Sequence, residues 1–143
     1  MDIQLISTAD LLYTDTLQLR NEVLRLPLGM DIQHDDLSDE PQQLHFVATE
    51  HGNVFGVVVL KIEGKVGKLR QMAVSPEAQG KSIGRELVST LEQKAAALGL
   101  TEIKLHARHY AAGFYAKLGY TKTLKSPFEE VGMQHFEMAK KLL

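Results

Sequence analysis

The stretch with the clearest chemical potential is Gln79-Gly80-Lys81-Ser82-Ile83-Gly84. Its two glycines let the backbone turn tightly and come close to a ligand. An amphipathic helix pattern begins at Ile83, so the unpaired N–H groups of a helix start point into this loop. That is an anion site by construction, most often for phosphate. Lys81 and Arg85 add positive charge beside it. The string is not a Walker loop, because Ser75 stands where the first glycine is required. It is not a dinucleotide fingerprint either: only Gly80 and Gly84 are present, and the strand before them comes too late in the chain.

Other residues could move protons or read charge. His106 lies in a strand near the expected cleft, and imidazole is the side-chain type suited to moving a proton near neutral pH; the competing reading is a core histidine bonded to backbone. Glu50 and Glu63 end strands and could draw a proton through water. His135 could line an acceptor site. Arg20, Glu22 and Arg25 lie in a charge-dense run that could read a substrate's charged groups, or could be a solvated helix face. His106 and His109 lack a third ligand, so no metal is expected.

These residues need elements to hold them. Residues 69–74 read as a strand, stopped by Ser75-Pro76. Ile83, Leu87, Val88, Leu91, Ala95 and Leu98 recur at helical spacing, and Gly99 closes that helix. Before it come a short strand at 3–6, Ser7 and Asp10 as a helix cap, and a helix carrying Leu12, Thr16, Leu19 and Val23 that ends before Pro27. A polar connection over 31–41 holds one short helical turn. Strands follow at 44–50 and 54–63, the second with an apolar middle that predicts burial on both faces. Glu63-Gly64-Lys65 is a hairpin turn into 66–74. A strand at 101–107, a short helix at 110–118 and strands at 120–125 and 133–140 complete the order βα(loop)βββαβαββ. It predicts an α/β (mixed α+β) fold: one domain spanning 1–143, with a mixed, mostly antiparallel sheet of about seven strands and helices on both faces.

Composition narrows the function classes. The chain is 44% hydrophobic and 24% charged with net charge −2, so no nucleic-acid partner is expected. It has no cysteine, which removes disulfides, thiolate metal sites and a cysteine nucleophile. Its longest apolar run is far short of a membrane span, and its first residues lack a signal-peptide pattern. The expectation is a cytoplasmic protein, monomeric or homodimeric, without a membrane partner.

The 79–84 string, after Met72-Ala73-Val74 and at a helix start, resembles the acyl-CoA signature of the GNAT N-acetyltransferase superfamily: Gln or Arg, two residues, Gly, one residue, Gly or Ala. Gln79 and Gly84 match the ends, and Ser82 replaces the inner glycine. A second marker, Phe114-Tyr115-Ala116-Lys117-Leu118-Gly119-Tyr120, resembles the family's Phe-Tyr-x-x-x-Gly-aromatic element. The resemblance implies acetyl-CoA as co-substrate and a small-molecule or peptide amine as acceptor. It implies that Gln79, Gly80, Lys81, Ser82, Ile83, Gly84 and Arg85 hold the pyrophosphate, with Phe114 and Lys117 also at the cofactor. It implies a bulged strand whose Met72, Ala73 and Val74 backbone groups meet the pantetheine arm, the Met72 N–H facing the thioester oxygen. It implies Tyr115 as the acid that protonates the leaving thiolate; helical spacing, four residues apart, turns Phe114 and Leu118 together to the core. The base stays open between His106, Glu50 and Glu63, with Arg20, Glu22, Arg25 and His135 as candidates for the acceptor side. Two function classes remain open: a direct-attack N-acetyltransferase and a non-catalytic acyl-CoA sensor on the same fold. Tyr115 favours the first.

Overall fold

The computed structural model describes residues 1–142. Its strands are β1 (Asp2–Ile6), β2 (Leu44–Glu50), β3 (Asn53–Glu63), β4 (Val66–Val74), β5 (Glu102–Arg108), β6 (Thr121–Lys122), β7 (Phe128–Glu130) and β8 (Met133–Lys141). Its helices are α1 (Leu12–Arg20), α2 (Ile83–Ala97) and α3 (Ala112–Lys117). The strands form one eight-stranded sheet in the order β1-β2-β3-β4-β5-β8-β6, with β7 pairing β8. Among the described residues only β4 and β5 pair in parallel, because α2 carries the chain between them.

Helices cover both faces, as the element order predicts. Ile83, Leu87, Val88, Leu91 and Ala95 press α2 onto Phe46, Val58, Leu60, Leu69, Ile103 and Leu105. On the opposite face Leu19 of α1 joins Ile6, Val47, Val57 and Ala73. Val57, Val58, Val59 and Leu60 are fully buried, as expected of a strand sandwiched between helices. No helix among the described residues is long and apolar enough to cross a membrane.

Several local expectations need correction. Ser7 does not cap α1; the Asp10 carboxylate accepts from the Leu12 N–H at 2.9 Å instead. The helix stops at Arg20 and continues as a π turn over Asn21–Arg25, ahead of a 3-10 turn containing Pro27. The polar connection holds two short turns, Ile32–His34 and Glu40–Gln42. Leu98 is half-exposed because α2 ends before it, and Leu100 takes its core place. The segment after α3 pairs only over Thr121–Lys122, and Phe128–Glu130 forms an additional strand.

Candidate active site

The sheet is split where β4 leaves β5. The two strands pair only from Val66↔Glu102 to Leu69↔Leu105. Beyond Leu69, β4 bulges. Val57 faces Ala73 and Val59 faces Arg70, so Gln71 and Met72 stand opposite Val58 alone. Gln71 takes φ +55 and its side chain accepts from Arg20 of α1, while Arg70 beside it donates to Glu40 and Gln43. The splay opens a cavity of about 920 Å³ lined by Met72, Ala73 and Val74 of β4 and by His106 and Arg108 of β5. Its size suits a ligand site.

At one end lies the loop leading into α2. Gly80 has φ +83 and Ser82 φ +63, with no positive φ at Lys81 between them. Alternation of hand is the backbone pattern in which successive N–H groups can converge on an anion. Ser82 holds a glycine-like conformation and makes no side-chain cap bond. Gln79, Gly80, Ser82, Ile83, Gly84 and Arg85 line the cavity. Lys81 and Lys117 are exposed and lie outside the lining, because their side chains leave the loop and α3 toward solvent. Gly84 has a steric reason: a Cβ there would come within 3.1 Å of the Phe114 ring.

α3 presents its aromatic pair differently from the expectation. Tyr115 is buried and belongs to the core cluster, whereas Phe114 is 38% exposed and Leu118 only half-buried. The pairing of Phe114 with Leu118 in the core is therefore corrected: Tyr115 is the inward residue, and both aromatics line the cavity. The cause is the helix end. Gly119, at φ +98, closes a Schellman turn in which Tyr120 N–H meets Tyr115 C=O at 3.1 Å and Gly119 N–H meets Ala116 C=O at 3.1 Å. That turn brings Tyr120 edge-on to Tyr115, their centroids 5.9 Å apart. Burial, and to a smaller degree Tyr110, pushes the Tyr115 phenol above its usual range, so it stays protonated at neutral pH.

His106 gains a partner that its sequence surroundings did not suggest. Its Nδ1 lies 2.9 Å from the Glu130 carboxylate. A carboxylate accepts, so Nδ1 carries the proton in the neutral ring and Nε2 keeps its lone pair. Phe128 packs edge-on to the same ring at 4.8 Å. His135 also lines the cavity, stacked on Phe128, its Nδ1–H donating to the Met133 carbonyl at 3.0 Å. Glu50, Glu63 and His109 are outside this cavity.

Of the three acceptor residues expected on the first helix, only Arg25 faces the cavity, forked onto Asp35 at 2.9 and 3.0 Å. Glu22 is exposed outside it. Arg20 is fully buried and gives both Nη groups to Glu40 at 2.7 and 2.8 Å. Tyr13 Oη donates to the same carboxylate at 2.8 Å, and Arg70 reaches it at 3.3 Å. Burial raises the Glu40 carboxyl, but Arg20 and Tyr13 outweigh it and hold the pKa down to about 2. Burial, then Glu40, pushes Tyr13 up to about 12. His45 donates from Nε2 to the Glu40 carbonyl, while its buried Nδ1 has no partner; burial keeps the ring neutral. Nothing in the sequence paired Arg20 with Glu40 or with the bulge. Arg108 was also missed, although the alternation Lys104, His106, Arg108 against Ile103, Leu105, Ala107 places it on the face of His106. Among the described residues no cluster of three or more His, Cys, Asp or Glu is placed to hold a metal.

Residues 31–142 match the family model described as an acetyltransferase (GNAT) domain. A Bacillus subtilis (strain 168) relative described as a candidate acetyltransferase is 31% identical over 98% of this chain and 96% of its own. Among solved structures, an acyl-CoA N-acyltransferase from Pseudomonas aeruginosa superposes with TM-score 0.84 at 22% identity, covering 98% of this chain and 99% of that one. An aminoglycoside 6′-N-acetyltransferase complexed with coenzyme A superposes with TM-score 0.78 at 19% identity, covering 100% and 98%. At these identities the structural likeness speaks to the fold.

Proposed function

The chain belongs to the GNAT acetyltransferase family, and from that premise we propose that it transfers an acetyl group from acetyl-CoA to a primary amine by direct attack. The observation that carries this reading is the splay of β4 from β5, with a left-handed anion loop at one end and Tyr115 in its wall. Acetyl-CoA supplies the acetyl group as a thioester. The N–H groups of the 79–84 loop bind its pyrophosphate, aided by the N-terminus of α2. The backbone of Met72, Ala73 and Val74, freed from β5, holds the pantetheine arm, and the Met72 N–H stabilises charge on the thioester oxygen.

The chemical step balances on two proton carriers. The amine nitrogen bonds to the acetyl carbon as the C–S bond breaks. His106, oriented by Glu130, takes the proton that the amine gives up. Tyr115 gives its proton to the departing thiolate and recovers one from solvent. The domain works without a metal, in the cytoplasm, on a small-molecule or peptide amine. The test measures CoA thiol release over a panel of amines, beside thermal melts with acetyl-CoA and ATP. Thiol release with stabilisation by acetyl-CoA, about 2.7 kcal/mol at 100 times its dissociation constant, is the expected result. Stabilisation without release on any amine would support the sensor reading. A shift with ATP alone would overturn both.

A further inference from the structure

The acceptor end of the cavity has an uneven charge. The π turn over Asn21–Arg25 takes Leu24 out of the α-helical bonding pattern, and its carbonyl accepts from two arginines. Arg25 Nη1 donates to it at 3.2 Å, and Arg108 Nη2 reaches it from β5 at 2.9 Å. Two guanidinium groups therefore meet at one oxygen in the cavity wall. Arg25 is neutralised by its fork onto Asp35. Arg108 has no carboxylate partner among the described residues; its other bond runs from Nη1 to the Tyr110 hydroxyl at 3.1 Å. Two of its five N–H donors are thus engaged, leaving three and an unmatched charge beside a second cation.

Arg108 stands two residues from His106 on one face of β5, about 6.6 Å along the strand. We propose that the acceptor is an amine bearing a carboxylate a few bonds from its nitrogen, as in an amino acid, and that Arg108 reads that carboxylate while the nitrogen lies toward His106 and Glu130. A planar guanidinium, held from two sides, matches a carboxylate with paired hydrogen bonds, and such charge-assisted pairs are the stronger kind. This rests on the acetyltransferase reading above, which names the site but not what the acceptor carries besides its amine.

The experiment compares amino acids with their carboxamides, by kcat/KM for thiol release and by calorimetric binding in the presence of CoA, for wild type, Arg108→Gln and Arg108→Lys. Wild type should prefer carboxylates by at least about tenfold, the scale of one charged pair. Arg108→Gln should bring the ratio near one, and Arg108→Lys should restore part of it. If Arg108 only fastens β5 to the π turn, Arg108→Gln lowers both series equally and the ratio stays, which overturns the proposal. Equal wild-type turnover on both series overturns it while leaving the acetyltransferase reading intact. Arg108-dependent carboxylate binding without turnover upholds it and overturns catalysis. Neither turnover nor such binding overturns both.

Discussion

Arg20 Nε donates to Gln71 Oε1 at 3.2 Å. This bond ties a guanidinium locked onto Glu40 to the residue at which β4 bulges. Gln71 adopts φ +55, an unfavourable conformation for a residue with a Cβ, and the buried Arg20–Glu40 pair supplies a fixed partner for it. The splay of the sheet therefore has an anchor beneath it, on the α1 face.

Glu40→Gln should cost at least about 3 kcal/mol, because it leaves Arg20 buried without its counter-charge. Replacing both residues by apolar ones of similar volume should cost less than the sum of the single changes. Urea unfolding of the three variants checks this, and additive losses would show that the pair is not coupled.

The same carboxyl sets an acid limit. Its folded pKa, about 2, lies below the ordinary 4.5, so its contribution is complete above about pH 4.5 and is lost as pH falls toward 2. His45, whose pKa burial lowers from 6.5, adds a loss of the same sign below that value. Stability should fall with acid across these windows. In Glu40→Gln the part between pH 4.5 and 2 should flatten, read from unfolding free energies at stepped pH.

Ser82→Gly should stabilise the protein by up to about 1 kcal/mol. It relieves a left-handed side chain at φ +63 and removes no capping bond. CoA affinity should hold or improve. A lower melting temperature would mean that the Ser82 side chain contributes something other than strain.

Gly84→Val should lose stability and CoA binding by driving a branched side chain into Phe114, which already lies 3.1 Å from a Cβ at that position. Phe114→Ala should remove much of the stability cost. A double-mutant cycle on melting free energies measures the coupling, expected at about 0.5–3 kcal/mol. No coupling would mean that the steric reason for Gly84 lies elsewhere.

Tyr115→Phe keeps the edge-on packing against Phe114 and Tyr120 and removes a hydroxyl that bonds to no described residue, so stability should change little. Turnover should fall at least about tenfold, with the dissociation constant for acetyl-CoA nearly unchanged. The fall should shrink on an activated thioester whose thiolate leaves without a proton. Equal rates on acetyl-CoA would return Tyr115 to packing alone.

The sequence by itself determined the order of the three helices and of all the strands but β7, the apolar stripe of α2, the doubly buried middle of β3 and the glycine turn before α2. Each is written in short-range periodicity or in a glycine whose backbone must take a left-handed φ, as at Gly80 and Gly119. The two family markers were legible for the same reason, since a Schellman turn and a loop–helix start are local. Tertiary structure alone decided which charges meet. Arg20 looked like an acceptor residue and became the buried partner of Glu40, 20 positions away. His106 found Glu130 across 24 positions, and Arg108 found the Leu24 carbonyl across 84. Hydrogen bonds and charge act over a few ångströms of space, and which residues come that close is set by the register of the sheet and the site of one bulge. Phe114 and Tyr115 make the same point on one helix: spacing fixed the angle between them, but the Tyr120 contact at the helix end decided which one faces the core.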